Sequence, residues 1–241
     1  MKDYAVAAYL TTKGDPQRKG KRYPSDSDQL IAPWADGLRR CNMTGIILHD
    51  DCPQEFIERH ENEHLTFRQV TPGRKVVNVD RFYHYLDLAR EVSEESHLLF
   101  TDLFDVTFNN NPFPLMWNRP EKVFAGVFER FSPMARKNWS RQAYGDPYLR
   151  YDLPYLAATL IGGRADHMIC LLVKMTRKFD TLRDSLIVDM PVTHNTIWEN
   201  YPPDEVFYGS PLHGDLKGGH FKPVDCVIHL RDQREDHGIR K

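Results

Sequence analysis

Apolar residues in this chain come in short runs, and the runs alternate with segments of helical periodicity. Residues 4–11 (YAVAAYLT) combine β-formers with small apolar side chains and predict a first buried strand. The polar stretch 12–27 carries Gly14, Pro16, Gly20 and Pro24 and predicts a long loop. Residues 28–40 place Leu30, Ile31, Trp34 and Leu38 on one helical face, with Pro33 early, where proline is tolerated. Strands are predicted at 44–49 and 65–70, with a short helix at 53–60 between them. Residues 76–79 are short and apolar. Asp80 then stands where it can cap a helix over 81–92, in which Phe82, Tyr85, Leu86 and Ala89 recur. Alternating strand and helix predict an α/β fold with a mostly parallel central sheet and flanking helices.

The stretch Leu98-Leu99-Phe100-Thr101 predicts another buried strand, and it ends in Asp102 and Asp105 before apolar residues resume at Val106 and Phe108. Carboxylates at the C-terminal end of a buried strand lie where an α/β sheet opens to ligands. Beside a core they are costly to desolvate unless paired. A divalent cation, an arginine, or exposure on a loop would each satisfy them. Further strands are predicted at 122–128, 156–163, 205–208 and 224–230, and helices at 164–179 and 184–201, the latter interrupted at Pro191. Residues 130–155 show no clear pattern, and the mixed-charge segment 231–241 is expected to be a frayed tail.

A length of 241 residues suits one large α/β domain, and no domain boundary is evident. A formal net charge of −2 gives no global electrostatic case for a nucleic-acid or acidic-membrane partner. The basic residues Lys13, Arg18, Lys19, Lys21 and Arg22 do concentrate in the first loop. That loop reads either as a solvated surface or as a mobile cationic arm near a phosphate, because its composition offers little surface to bury. The four cysteines, Cys41, Cys52, Cys170 and Cys226, are scattered, so neither a zinc cluster nor a disulfide framework is expected. No apolar run reaches membrane-spanning length and no signal peptide is seen, so a cytoplasmic protein is expected.

Three features could share one pocket. They are Asp102 and Asp105, the pair Gly162-Gly163 between a strand and a long helix, and His229 in the otherwise apolar last strand. His229 reads as a core histidine or as a metal ligand. Two carboxylates and one imidazole would leave a divalent cation open positions for a diphosphate. One nitrogen ligand favours Mn²⁺ over Mg²⁺.

Thr101-Asp102-Leu103-Phe104-Asp105-Val106-Thr107-Phe108 resembles the Asp-x-x-Asp variant of the DxD motif of GT-A glycosyltransferases. A similar variant marks the glycosyltransferase domain of collagen lysyl hydroxylases and related viral and bacterial sugar transferases. Asn78-Val79-Asp80-Arg81-Phe82 resembles that family's nucleotide-binding segment, and residues 156–163 (LAATLIGG) resemble its "LNAGLIGG" strand. Residues 189–195 (DMPVTHN) resemble the start of the helix beside the acceptor, and residues 209–213 with Val227-Ile228-His229 resemble the segment that completes the metal site.

The resemblance spans roughly residues 4–230 and implies a GT-A (Rossmann-like) fold over a single domain, 1–241. Residues 1–105 would bind the nucleotide and 106–230 the acceptor. It implies a metal-dependent glycosyltransferase moving a sugar from a nucleotide-diphosphate donor, most simply a UDP-sugar. Asp102, Asp105 and His229 would hold Mn²⁺ or Mg²⁺, a Lewis acid toward the leaving diphosphate. Thr11, Thr12, Lys13, Asn78, Arg81, Asp102, Gly162 and Gly163 would contact the donor. Asp189 would serve as base toward an acceptor hydroxyl, or else merely cap its helix. The acceptor class stays open among glycan, protein, lipid and modified nucleobase. Ala158 and Met190 depart from the family pattern. They leave room for a catalytically silent nucleotide-sugar or glycan-binding protein of the same fold, and a nucleotidyltransferase is a further alternative.

Overall fold

The structure is a computed structural model, described here for residues 2–119, 121–127, 141, 153–215 and 222–229. The expected tail 231–241 and most of 130–155 lie outside the described residues.

Apolar strand runs and amphipathic helices assemble into three layers. The strands are β1 (Tyr4–Tyr9), β2 (Gly45–His49), β3 (Leu65–Gln69), β4 (His97–Thr101), β5 (Val106–Phe108), β6 (Val123–Val127), β7 (Leu156–Arg164), β8 (Val206–Tyr208), β9 (His213–Asp215) and β10 (Val227–His229). The helices are α1 (Asp28–Arg40), α2 (Gln54–His60), α3 (Val77–Glu91), α4 (Phe113–Trp117), α5 (Ala165–Asp180) and α6 (Asp189–Asn200). Seven strands form the central sheet in the order β3-β2-β1-β4-β7-β6-β8. The pairs among β3, β2, β1 and β4 are parallel, β7 runs antiparallel to both β4 and β6, and β6 pairs parallel with β8. The strands predicted at 4–11, 44–49, 65–70, 98–101 and 156–163 all lie in this sheet.

Alternation along the strands sorts side chains to two faces. Val6, Leu98 and Phe100 meet Phe82, Tyr85, Met168 and Leu172 from α3 and α5. Ala7, Tyr9 and Leu99 meet Ile31, Trp34 and Leu38 from α1, together with Val106, Phe108 and Val227. Those last three belong to a smaller sheet of order β5-β10-β9, which lies on the second face and which sequence periodicity did not separate from the first.

Two boundaries differ from expectation. Helix α3 begins at Val77, so Asp80 lies inside its first turn and is not its cap. The Asp80 carboxylate instead accepts from the Gly73 N–H at 2.9 Å, holding the preceding loop. Helix α6 begins only at Asp189, which puts Pro191 in its first turn, where its missing N–H leaves no vacant bond.

The connection between β1 and α1, read as solvated surface or a mobile arm, carries local structure of its own. A 3-10 turn, Pro16–Arg18, is organised around Asp15, which is only 3% exposed. Its carboxylate accepts from the Gln17 N–H at 2.8 Å and from the Tyr23 hydroxyl at 2.9 Å. Tyr23 is itself buried, so the loop holds the one large apolar group needed to fix it.

Candidate active site at the carboxyl end of β4

Strand β4 is buried from Leu98 onward and releases the chain at Thr101. The release point is fixed on three sides. The Trp34 indole donates to Thr101 Oγ1 at 2.8 Å, the Tyr85 hydroxyl to Thr101 O at 3.3 Å, and the Asp102 N–H to Thr159 O of β7 at 3.0 Å.

Of the three partners open to Asp102, the structure supplies an arginine. Arg81, one turn into α3, donates from Nη1 to Asp102 and from Nη2 to Asp189 Oδ2 at 3.1 Å. Its Nε donates to Asn78 O at 3.1 Å and its Nη2 also reaches Ala158 O at 3.3 Å. One guanidinium thus joins α3, the β4 exit, β7 and the start of α6. Burial opposes its charge, but the two carboxylates outweigh burial and keep it firmly protonated. Asp189 is buried, and desolvation pushes its pKa up to about 6 despite Arg81, with the Asp102 charge adding to the rise. Two residues of this cluster keep hydrogen-bonding capacity unused among the described residues. Asn78 Oδ1 and Thr159 Oγ1 are buried without a partner, and each belongs to a residue whose carbonyl already binds Arg81 or Asp102.

Asp105 and His229 meet a few residues further on. The antiparallel register of β5 with β10 sets His229 opposite Val106. His229 Nε2 then lies 3.1 Å from Asp105 Oδ2, both residues being buried. This joins residues 124 positions apart. His213, to which sequence reasoning gave no role, lies on the neighbouring strand β9 with its ring 6.4 Å from that of His229. Asp105 and His229 suit a divalent cation in residue type and contact. Asp102 points to Arg81 instead, and among the described residues no group of three His, Cys, Asp or Glu side chains is gathered as a metal cluster.

The other expected donor contacts divide. Asn78 and Arg81 are in the cluster. Thr11 and Thr12 lie at the adjacent exit of β1, where their backbone N–H groups and hydroxyls surround the Asp50 carboxylate, with Thr11 N at 2.8 Å and Thr12 N at 3.1 Å. Lys13 makes a half-buried ion pair with buried Asp80 at 2.7 Å and donates to Lys75 O at 2.7 Å. Burial would raise the Asp80 pKa, but His84, Lys13 and the Gly73 N–H together hold it below the usual carboxylate range. Lys13 therefore holds the start of α3.

Gly162 and Gly163 are not brought to Asp102 at all. Register pairs them with Leu99 and Leu98, toward the opposite end of β4. Their small size answers to packing there. A Cβ at Gly162 would lie 2.8 Å from Leu99 Cδ1 and 2.9 Å from Leu98 O, and one at Gly163 2.6 Å from Lys122 O. The end of β7 that reaches the site is Ala158-Thr159, whose backbone carbonyls serve Arg81 and Asp102. The free hydroxyl of Thr159 could have been suspected from its place in an otherwise apolar run. The Arg81 bridge had no signal in the sequence, because its partners come from three separate elements.

No family model matches this sequence, and no curated protein sequence matches it. Among solved structures the chain is similar to a galactosyltransferase, LgtC, determined in complex with donor and acceptor sugar analogues. The TM-score is 0.59 at 12% identity, over 95% of this chain and 87% of that one. The fold is that of GT-A glycosyltransferases, a mixed α/β sheet with flanking helices. Among the described residues no helix is long and apolar enough to cross a membrane.

Proposed function

We propose that this protein transfers a sugar from a nucleoside-diphosphate donor, most simply a UDP-sugar, to an acceptor hydroxyl. The observation that carries the reading is the Asp102–Arg81–Asp189 cluster at the carboxyl end of β4, on a sheet of this fold. A buried guanidinium shared by two carboxylates is preorganised charge in a low-dielectric site, the setting in which developing charge is best stabilised. The unused acceptors Asn78 Oδ1 and Thr159 Oγ1 suit the hydroxyl donors of a ribose or a hexose. Asp189 is the base toward the acceptor hydroxyl, and a pKa near 6 lets it be ionised at neutral pH yet retain affinity for a proton.

Asp105 and His229 are the residues that would hold Mn²⁺ or Mg²⁺. A cation bound there supplies charge neutralisation for a diphosphate. Asp102, whose Oδ1 accepts from Arg81, would join the ligand set through Oδ2.

The test is a panel of UDP- and GDP-sugars incubated with Mn²⁺, read for hydrolysis and for transfer to simple glycosides. Turnover of one donor that disappears in Asp105→Ala is the expected result. Tight donor binding without turnover would convert the reading to a silent nucleotide-sugar-binding protein. Absence of binding to any donor would refute it.

A further inference from the structure

The β1–α1 connection carries more positive charge than its own structure uses. Lys13 is taken by Asp80, and the Asp15 carboxylate is taken by Gln17 N–H and Tyr23. Arg18, Lys19, Lys21 and Arg22 have no ion pair among the described residues. The turn that presents them is over-determined. Asp15 O accepts from Arg18 N at 3.0 Å and from Gly20 N at 2.9 Å, Asp15 N donates to Lys21 O at 2.9 Å, and Lys19 and Gly20 adopt positive φ of 57° and 78°. A backbone held this firmly fixes where its cations stand.

Arg18 differs from the other three. Its guanidinium carbon lies 4.2 Å from the Tyr23 ring centroid, and its Nη1 is buried with no hydrogen-bond partner. Stacking on Tyr23 satisfies the face of the guanidinium but not its N–H edge. A buried cationic donor left unmatched costs free energy unless an anion supplies the acceptor. Tyr23 in turn packs on Phe104, with ring centroids 4.3 Å apart, and Phe104 also meets Tyr9 at 5.6 Å. Phe104 lies between Asp102 and Asp105 in sequence. One aromatic contact therefore couples the cationic turn to the loop that bears both carboxylates.

We infer that Arg18 is a phosphate-binding residue, a preformed cationic subsite that takes a phosphoryl oxygen of a nucleoside diphosphate bound at the Asp102–Asp105 loop. The inference rests on the proposed transfer reaction for the presence of that ligand, but it concerns a residue outside the Arg81 cluster. Lys19, Lys21 and Arg22, which are exposed, add long-range attraction to the same anion.

The probes are UDP, GDP and their nucleosides, titrated calorimetrically with Mn²⁺ into the full chain and into Arg18→Gln, which keeps a polar stem without the charge. The diphosphate that binds the wild-type protein should bind Arg18→Gln about 10-fold more weakly, with a shallower salt dependence. The affinity for the matching nucleoside should not change. Equal diphosphate affinity in the two proteins overturns the inference, as does a parallel loss of nucleoside affinity, which would show that the change acted through Tyr23 and Phe104. Arg18→Lys provides a second variant should Arg18→Gln fail to fold. It should retain most of the salt dependence, and a full loss of it would count against the inference. Failure of the wild-type protein to bind either diphosphate would instead remove the proposed reaction itself.

Discussion

The two ends of the β4–β7 pair are made of the same backbone ladder and contain opposite chemistry. At the end where β7 leaves for α5, Gly162 and Gly163 pack so closely on Leu98, Leu99 and Lys122 that no Cβ fits. At the other end, Thr101 stops the strand and Asp102, Thr159, Arg81 and Asp189 crowd together with polar atoms left over. The packed end contributes stability and holds register. The charged end carries desolvation costs that the Arg81 ion pairs oppose, yet the Asp189 pKa stays raised despite them. Small residues and charged residues thus mark different kinds of importance along one strand pair.

The sharpest way to break the contrast is at the charged end. Asp102→Asn should lower transfer by about 10³-fold while leaving the fold intact, because it removes charge from a preorganised site at constant shape. Initial-rate kinetics with circular dichroism checks this, and a rate within a few fold of wild type would show that the cluster is structural. Lys13→Met tests the neighbouring half-buried pair and should cost about 3 kcal/mol by leaving Asp80 buried without its cation. Urea unfolding measures it. A loss of donor affinity with unchanged stability would return Lys13 to the binding site.

Gly162→Ala addresses the packed end. It should destabilise by about 2 kcal/mol through overpacking against Leu98 and Leu99, with the transfer rate of the folded fraction unchanged. A fall in that rate without loss of stability would place Gly162 in the donor site after all.

The smallest effect is in pH. With its pKa pushed up to about 6 from 3.8, Asp189 binds a proton more tightly in the folded chain than in the unfolded one. Its contribution to stability is therefore present at low pH and falls as pH rises from about 4 to about 6, then levels off. Activity that depends on the ionised base should move the opposite way, rising through about pH 6 to a plateau. Asp189→Asn should flatten the stability limb, and an unchanged limb would assign it to another group.

The sequence determined the strand–helix alternation, a mostly parallel central sheet and the carboxylates at the exit of β4. Periodicity reports burial, and a strand's end is visible where the apolar run stops. It also left an arginine among the partners open to Asp102. That Arg81 reaches Asp102 was decided by tertiary structure, since α3, β7 and α6 must all be in place before one guanidinium can meet Asn78, Ala158, Asp102 and Asp189.

The same holds for Asp105 and His229, which meet only through the register of β5 with β10. That Gly162 and Gly163 pair with Leu99 and Leu98 rather than with the exit of β4 follows from β7 running antiparallel to β4, a direction the sequence does not state. Charge count alone allows the basic loop to be either solvated surface or a mobile arm. One buried tyrosine and one buried aspartate, each worth more than the exposed lysines around them, fix it. Composition sums over residues, whereas order in a loop depends on the few that are desolvated together.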